Sequence, residues 1–214
     1  MPGLNQTGAA GSSIRQAKNR GCFRPASTLP TAVAADLNEE VDQLGAHVCA
    51  FFPDQRRRAE ILDTFIGEAI EAGDKCYCLL HTPYPGPEHP DVEYLTTTET
   101  YLAGGRFSAD AMLHRLERFV TRAVHDEGYP GIRAVGEMSW AAERLPGTDE
   151  VCRYESEVNR FDPAHRQVLL CLYDLSRFSA DDVDRALRTH PWILVADVVL
   201  PNPYFRHPDL QATC

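Results

Sequence analysis

The seven residues Val168-Leu169-Leu170-Cys171-Leu172-Tyr173-Asp174 decide how this chain is read. Val168 to Leu172 are apolar with no polar alternation, the pattern of a strand buried on both faces of a parallel sheet. The run ends on Tyr173 and Asp174, and Ser176-Arg177-Phe178 then lead to a helix start. In open α/β sheets, ligands lie beyond the carboxyl ends of the strands. An acid placed there either serves a site or caps the following loop.

Outward from this strand, the sequence supplies partners for it. His47 to Phe52 reads as a first strand, and the helix after it carries Ile61, Leu62, Phe65, Ile66, Ala69 and Ile70 on one stripe before Gly73. Lys75 to Leu80 is a second strand, which completes a unit of the size a parallel crossover needs. Residues 81–93 hold four prolines and two histidines and read as a loop. Tyr94 to Tyr101 is a short strand running to a turn at Gly104-Gly105. Ser108 caps a helix with Met112, Leu116, Phe119, Val120 and Ala123 toward the core, stopped by Gly128. Ile132 to Met138 is the next strand and leads into Trp140. Thr148 caps a helix bearing Val151, Cys152, Tyr154, Val158 and Phe161, closed by Pro163.

Beyond the organising strand, Ser179-x-x-Asp182 is a capping box with Asp in place of Glu, and its helix stops before Pro191. Trp192 to Leu200 is a final strand. This alternation predicts an α/β fold with a doubly wound, mostly parallel sheet. Residues 1–40 are rich in Gly, Ser, Ala, Gln, Thr and Pro without an apolar period. They predict a disordered or loosely docked arm ahead of a domain over 41–214.

The chain of 214 residues is long enough for one sizeable core. Its net charge of -10 opposes direct binding to DNA or to an anionic membrane, because phosphates need clustered Lys and Arg. No apolar run approaches the roughly 18 residues of a membrane helix, so the sequence reads as a soluble, cytoplasmic protein. The seven cysteines (Cys22, Cys49, Cys76, Cys78, Cys152, Cys171 and Cys214) include no C-x-x-C pair. No metal site is expected from that spacing, and the cysteines read as small buried hydrophobes.

The turn Phe52-Pro53-Asp54-Gln55-Arg56-Arg57-Arg58 carries no Gly and no Lys, and Pro53 removes an amide donor. A phosphate cradle needs these groups, so nucleotide hydrolysis is not expected, and no cofactor is implied. The strand ends gather other chemistry. His47, Cys49 and Phe51 share one face, His81 follows the second strand, Glu137 and Trp140 follow another, and Tyr173 and Asp174 end the central one. Glu137 and Asp174 could equally hydrogen-bond loop amides. Glu155 and Asn159 sit four apart on a helix face that is solvated in most helices. His190-Pro191 reads as a helix stop.

A set of segments occurs in a telling order: His47-Val48-Cys49-Ala50-Phe51, Glu99-Thr100-Tyr101-Leu102 with Gly105-Arg106-Phe107, and Gly136-Glu137-Met138-Ser139-Trp140. Tyr154-Glu155 with Asn159, Leu170-Cys171-Leu172-Tyr173-Asp174, His190-Pro191 and Asn202-Pro203-Tyr204 follow. Over roughly residues 44 to 205 the chain resembles the MEDS domain, the sensory domain of methanogens, methylotrophs and the DcmR repressor. The resemblance implies a RecA-like core without a working phosphate loop. It also implies sensing of small, often hydrocarbon-derived ligands, and company with anti-sigma kinases or other transcription-regulatory modules.

The expectation is therefore a non-enzymatic sensory domain that signals through a regulatory protein partner, with a homodimer left open. Strand-end position and motif membership together give the ligand-binding candidates His47, Cys49, Phe51, His81, Glu137, Trp140, Glu155, Tyr173, Asp174, Asn202 and Tyr204. No residue is assigned a catalytic role. The rival readings are an enzyme pairing Glu137 or Asp174 with His47 or His81, and a scaffold with no ligand.

Overall fold

The strand β5 (Arg166–Asp174) runs through the middle of a seven-stranded sheet, with eight of its nine residues buried. The structure, a computed structural model, describes residues 45–161 and 165–210. The expected arm over residues 1–40 lies outside them, as does Pro163. On one side β5 pairs with β1 (Ala46–Phe52), and on the other with β4 (Gly131–Glu137). The remaining strands are β2 (Lys75–Leu80), β3 (Val92–Thr96), β6 (Trp192–Val195) and β7 (Val198–Pro201). Their spatial order is β3-β2-β4-β5-β1-β6-β7, parallel throughout except for the last pair.

Strand alternation sends two sets of side chains to opposite faces. Val48, Ala50, Phe52, Cys76, Cys78, Val135, Val168, Leu170 and Leu172 meet the apolar stripe of α1 (Gln55–Ala72). The Asp54 carboxylate accepts from the Arg57 amide at the start of α1, and Gly73 closes it at φ 68°. On the opposite face lie Cys49, Tyr77, Leu79, Ala134, Leu169, Cys171 and Tyr173. They are covered from α2 (Ala109–Val120), α3 (Val151–Val158) and α4 (Ala180–Thr189) by residues such as Met112, Leu116, Tyr154, Val158 and Ala186. Each fully buried Leu, Ile or Phe in these two layers contributes roughly 1.5–3 kcal/mol. The α/β class with a mostly parallel sheet is as the sequence predicts.

The first crossover is parallel, as the sequence reading has it, and spans β4 and β5, which lie between β1 and β2. The structure departs from the sequence reading in three places. The run Trp192 to Leu200 is a hairpin rather than one strand. Ala196 (φ 46°) and Asp197 (φ 68°) turn it, and the usual Asn-Gly signal for such a turn is missing. β3 begins at Val92 and stops at Thr96, where the Thr96 amide and hydroxyl both donate to the Glu99 carboxylate and start a run of turns. Thr148 opens a short 3-10 segment, not an α-helix, and makes no side-chain cap. Gly147 before it has φ 90°, and a Cβ there would lie 2.1 Å from the Phe107 carbonyl oxygen. The contact with Phe107 is not local to the sequence around Thr148.

Candidate functional site

Four side chains from four elements converge on the face of the sheet beneath α3 and the end of α4. His47 comes from β1, Cys171 from β5, Glu155 from α3, and His190 from the residue that ends α4. One donor atom from each lies within 4.8 Å of all the others, and all four residues are buried. The Glu155 Oε2 atom is the hub. His47 Nε2 lies 3.1 Å from it, His190 Nε2 3.4 Å, and Cys171 Sγ 3.6 Å. Cys171 Sγ is also 3.5 Å from His47 Nε2, and the two imidazole rings are 3.9 Å apart between centroids. Glu155 Oε1 accepts from the Tyr173 hydroxyl at 3.2 Å.

The surroundings fix which ring nitrogens carry protons. Asn159 Nδ2 donates to the carbonyls of Thr189 (2.7 Å) and Glu155 (3.0 Å). That leaves Asn159 Oδ1 as the acceptor facing His47 Nδ1 at 3.1 Å, so Nδ1 carries a proton. His190 Nδ1 in turn donates to the Ala186 carbonyl at 2.7 Å. Asn202 pins this helix end by donating to the carbonyls of Leu187 (2.6 Å) and His190 (2.7 Å). His190 Nε2 has no hydrogen-bond partner among the described residues.

Burial dominates the electrostatics. It lowers the His190 pKa to about 3, with the adjoining His47 adding to the effect. Burial works to raise the Glu155 carboxyl, but the hydrogen bond with His47 and the hydroxyl of Tyr173 help to hold it below the usual carboxylate range. The thiol of Cys171 and the phenol of Tyr173 are pushed well above their ordinary values by burial and then by Glu155.

Tyr173 links this cluster to a cavity of about 480 Å³ at the carboxyl end of β5. Val151, Phe178 and Ala186 give the cavity apolar walls, and Arg144, Asp149 and Arg177 lie around it. Glu155 and Tyr173 reach it from below. A smaller void of about 20 Å³ beside His47, Tyr101 and Cys171 has room for one water.

Of the eleven candidates, His47 and Glu155 belong to the cluster, and Tyr173 joins it to the cavity. Cys49 is buried one strand away, opposite Cys171 in register, and its thiol donates to the Trp192 carbonyl. The Phe51 ring lies 5.5 Å from that of Tyr173. The structure puts Glu137 on the opposite face. There its carboxylate takes a 2.8 Å hydrogen bond from buried Arg58, the backbone amides of His81 and Thr82, and the hydroxyls of Thr82 and Ser139. His81 pairs with Glu143 at 3.1 Å instead of a strand-end acid. Asp174 accepts from the amide and hydroxyl of Ser176 and so shapes its own loop. Trp140 is fully buried between Tyr101 and Phe107, at 5.1 and 4.9 Å. Asn202 acts on backbone carbonyls, and Tyr204 is exposed.

Cys171 and His190 also belong to the cluster, though the sequence reading does not place them among the candidates. His190 reads as a helix stop because of Pro191, and it is one. The residue before a proline is held extended, here at φ -113° and ψ 120°, and the buried ring reaches the cluster from that position. One available signal was that Glu155 lies between Tyr154 and Val158 in the apolar stripe of its helix, not on a solvated face.

Comparison with curated proteins gives no match. A family model does match: MEDS, the methanogen/methylotroph, DcmR sensory domain, over residues 46–191. That span takes in β1, β5, Glu155 and His190, well over half of the sequence, and the chain belongs to the MEDS sensory-domain family.

Proposed function

We propose that this MEDS domain is a non-enzymatic receptor for a small, partly apolar molecule and reports its occupancy by contact with a regulatory protein. The observation that carries this reading is the cavity of about 480 Å³ at the end of β5. Its size falls in the range of small-molecule sites, and its mixture of apolar wall and a few charged groups is what such sites use to bind and orient. Tyr173 offers a flat apolar face there, and its hydroxyl is already committed to Glu155. The net charge of -10 supports output through a protein and not through DNA.

A second reading, an enzyme, draws support from the carboxylate–imidazole contact of Glu155 and His47 at 3.1 Å. The two are separated by one experiment. Purified protein is incubated with a small-molecule extract, and native mass spectrometry identifies any retained mass. Val151→Trp, at the cavity wall, should abolish retention while the melting temperature changes little. The retained molecule should also be recovered chemically unchanged after prolonged incubation. Equal retention by Val151→Trp would remove the cavity from the proposal, and steady conversion to a product would establish the enzyme instead.

A further inference from the structure

The buried cluster holds an arrangement that its own hydrogen bonds do not satisfy. The proton on His47 Nδ1 is fixed by Asn159, and the one on His190 Nδ1 by the Ala186 carbonyl. A neutral His47 can accept at Nε2 from the Cys171 thiol, 3.5 Å away, whereas a neutral His190 carries a bare lone pair on Nε2. Both Nε2 atoms lie close to one oxygen, Glu155 Oε2, at 3.1 and 3.4 Å. His190 Nε2 sits in a fully buried side chain and makes no hydrogen bond among the described residues. The single Cys171 thiol proton can serve Glu155 or His47 but not His190 as well, and an acceptor left unmet in a dry interior is costly unless a cation sits among these groups.

The geometry fits one class of cation. A tetrahedral ion with metal–nitrogen and metal–oxygen bonds near 2.0–2.1 Å and a metal–sulfur bond near 2.3 Å separates its N and O ligands by about 3.4 Å and its S and N ligands by about 3.6 Å. Four of the six separations are 3.1 and 3.4 Å for nitrogen to oxygen, 3.5 Å for Sγ to His47 Nε2 and 3.6 Å for Sγ to Glu155 Oε2, and all six are within 4.8 Å. We propose that His47 Nε2, His190 Nε2, Glu155 Oε2 and Cys171 Sγ bind a divalent first-row transition cation of the zinc type. Glu155 also borders the small-molecule cavity, and the ion can bind whether or not that cavity holds a ligand.

The chemistry balances. Cys171 gives up its thiol proton to solvent, and the S–H electron pair becomes the sulfur–metal bond. Any proton on His47 Nε2 leaves in the same way. The two positive charges of the ion then meet one carboxylate and one thiolate, so the buried site is neutral as a whole. The hydrogen bonds from Nδ1 of both histidines to Asn159 and Ala186 are the outer contacts that orient imidazole ligands. Glu155 is also joined to Tyr173, which places the ion one carboxylate away from the cavity.

Cobalt tests the site directly. Full-length protein is stripped with a chelator and titrated with Co²⁺. One equivalent should give the intense visible bands of a tetrahedral site and a near-ultraviolet thiolate-to-cobalt charge-transfer band, both lost on adding Zn²⁺. Cys171→Ser should remove the charge-transfer band, while Cys76→Ala, on the other face of the sheet, should keep it. Asn159→Ala should weaken binding roughly 10–100-fold. Weak visible bands without charge transfer would mean binding at surface histidines, and that result overturns the proposal. So does a band that persists in Cys171→Ser. Should the serine variant fail to fold, X-ray absorption on the zinc-loaded native protein decides, since only a shell of one sulfur with nitrogen and oxygen agrees with these four ligands.

Discussion

Glu137→Ala should destabilise this protein by about 3–5 kcal/mol, the range for stranding one member of a buried ion pair. Arg58 and Glu137 are 3% and 1% exposed, and the guanidinium donates to the carboxylate at 2.8 Å. Without Glu137, the Thr82 carbonyl at 2.6 Å is the neutral acceptor left to Arg58 Nη2. The amides of His81 and Thr82, at 3.1 and 3.0 Å from the carboxylate, also lose their acceptor. They lie at the strand end, where water can replace it, so most of the cost should come from the stranded charge. The double variant Arg58→Met with Glu137→Leu removes that charge and should cost less than Glu137→Ala alone. Urea denaturation followed by circular dichroism reads both. At a slope near 2 kcal/mol per molar, a loss of 4 kcal/mol moves the midpoint by about 2 M. The reasoning fails if Glu137→Ala keeps the native midpoint, or if the double variant is no better than the single one.

Three further outcomes are expected. Leu170→Ala, in the middle of β5 and 4% exposed, should cost about 2–5 kcal/mol through lost transfer energy and a cavity, and an unchanged midpoint would mean the strand is not buried. In a Trp192→Phe background, fluorescence from Trp140 should resist quenching by iodide, because its ring is enclosed by Tyr101 and Phe107; ready quenching would put it at the surface. For the Asp182 carboxyl, burial acts to raise the pKa, but hydrogen bonds from Ser179 and Arg185 outweigh it and lower it overall. A depressed folded pKa adds stability that is present above the unfolded value of about 3.9 and lost as pH falls through the folded one. Asp182→Asn should therefore melt below native protein at pH 7, and the two curves should converge in acid.

The backbone architecture could be read from the sequence because its determinants are local. The apolar run Val168 to Leu172, the helical stripe from Ile61 to Ile70, and the caps at Ser108 and Ser179 each act within a few residues, and the structure has a strand, a helix or a cap at each. The hairpin at Ala196-Asp197 is not legible, because Ala is a poor left-handed turn former and the two short strands together resemble one long one. The roles of the polar residues were decided by tertiary structure. Glu137 and Glu155 are both acids next to apolar runs, yet the strand phase of one turns it toward Arg58 and the helix phase of the other turns it toward His47. The four members of the buried cluster span residues 47 to 190. No spacing rule connects them, because only the strand order that puts β5 beside β1, with α3 and the end of α4 laid across that face, brings their donor atoms together.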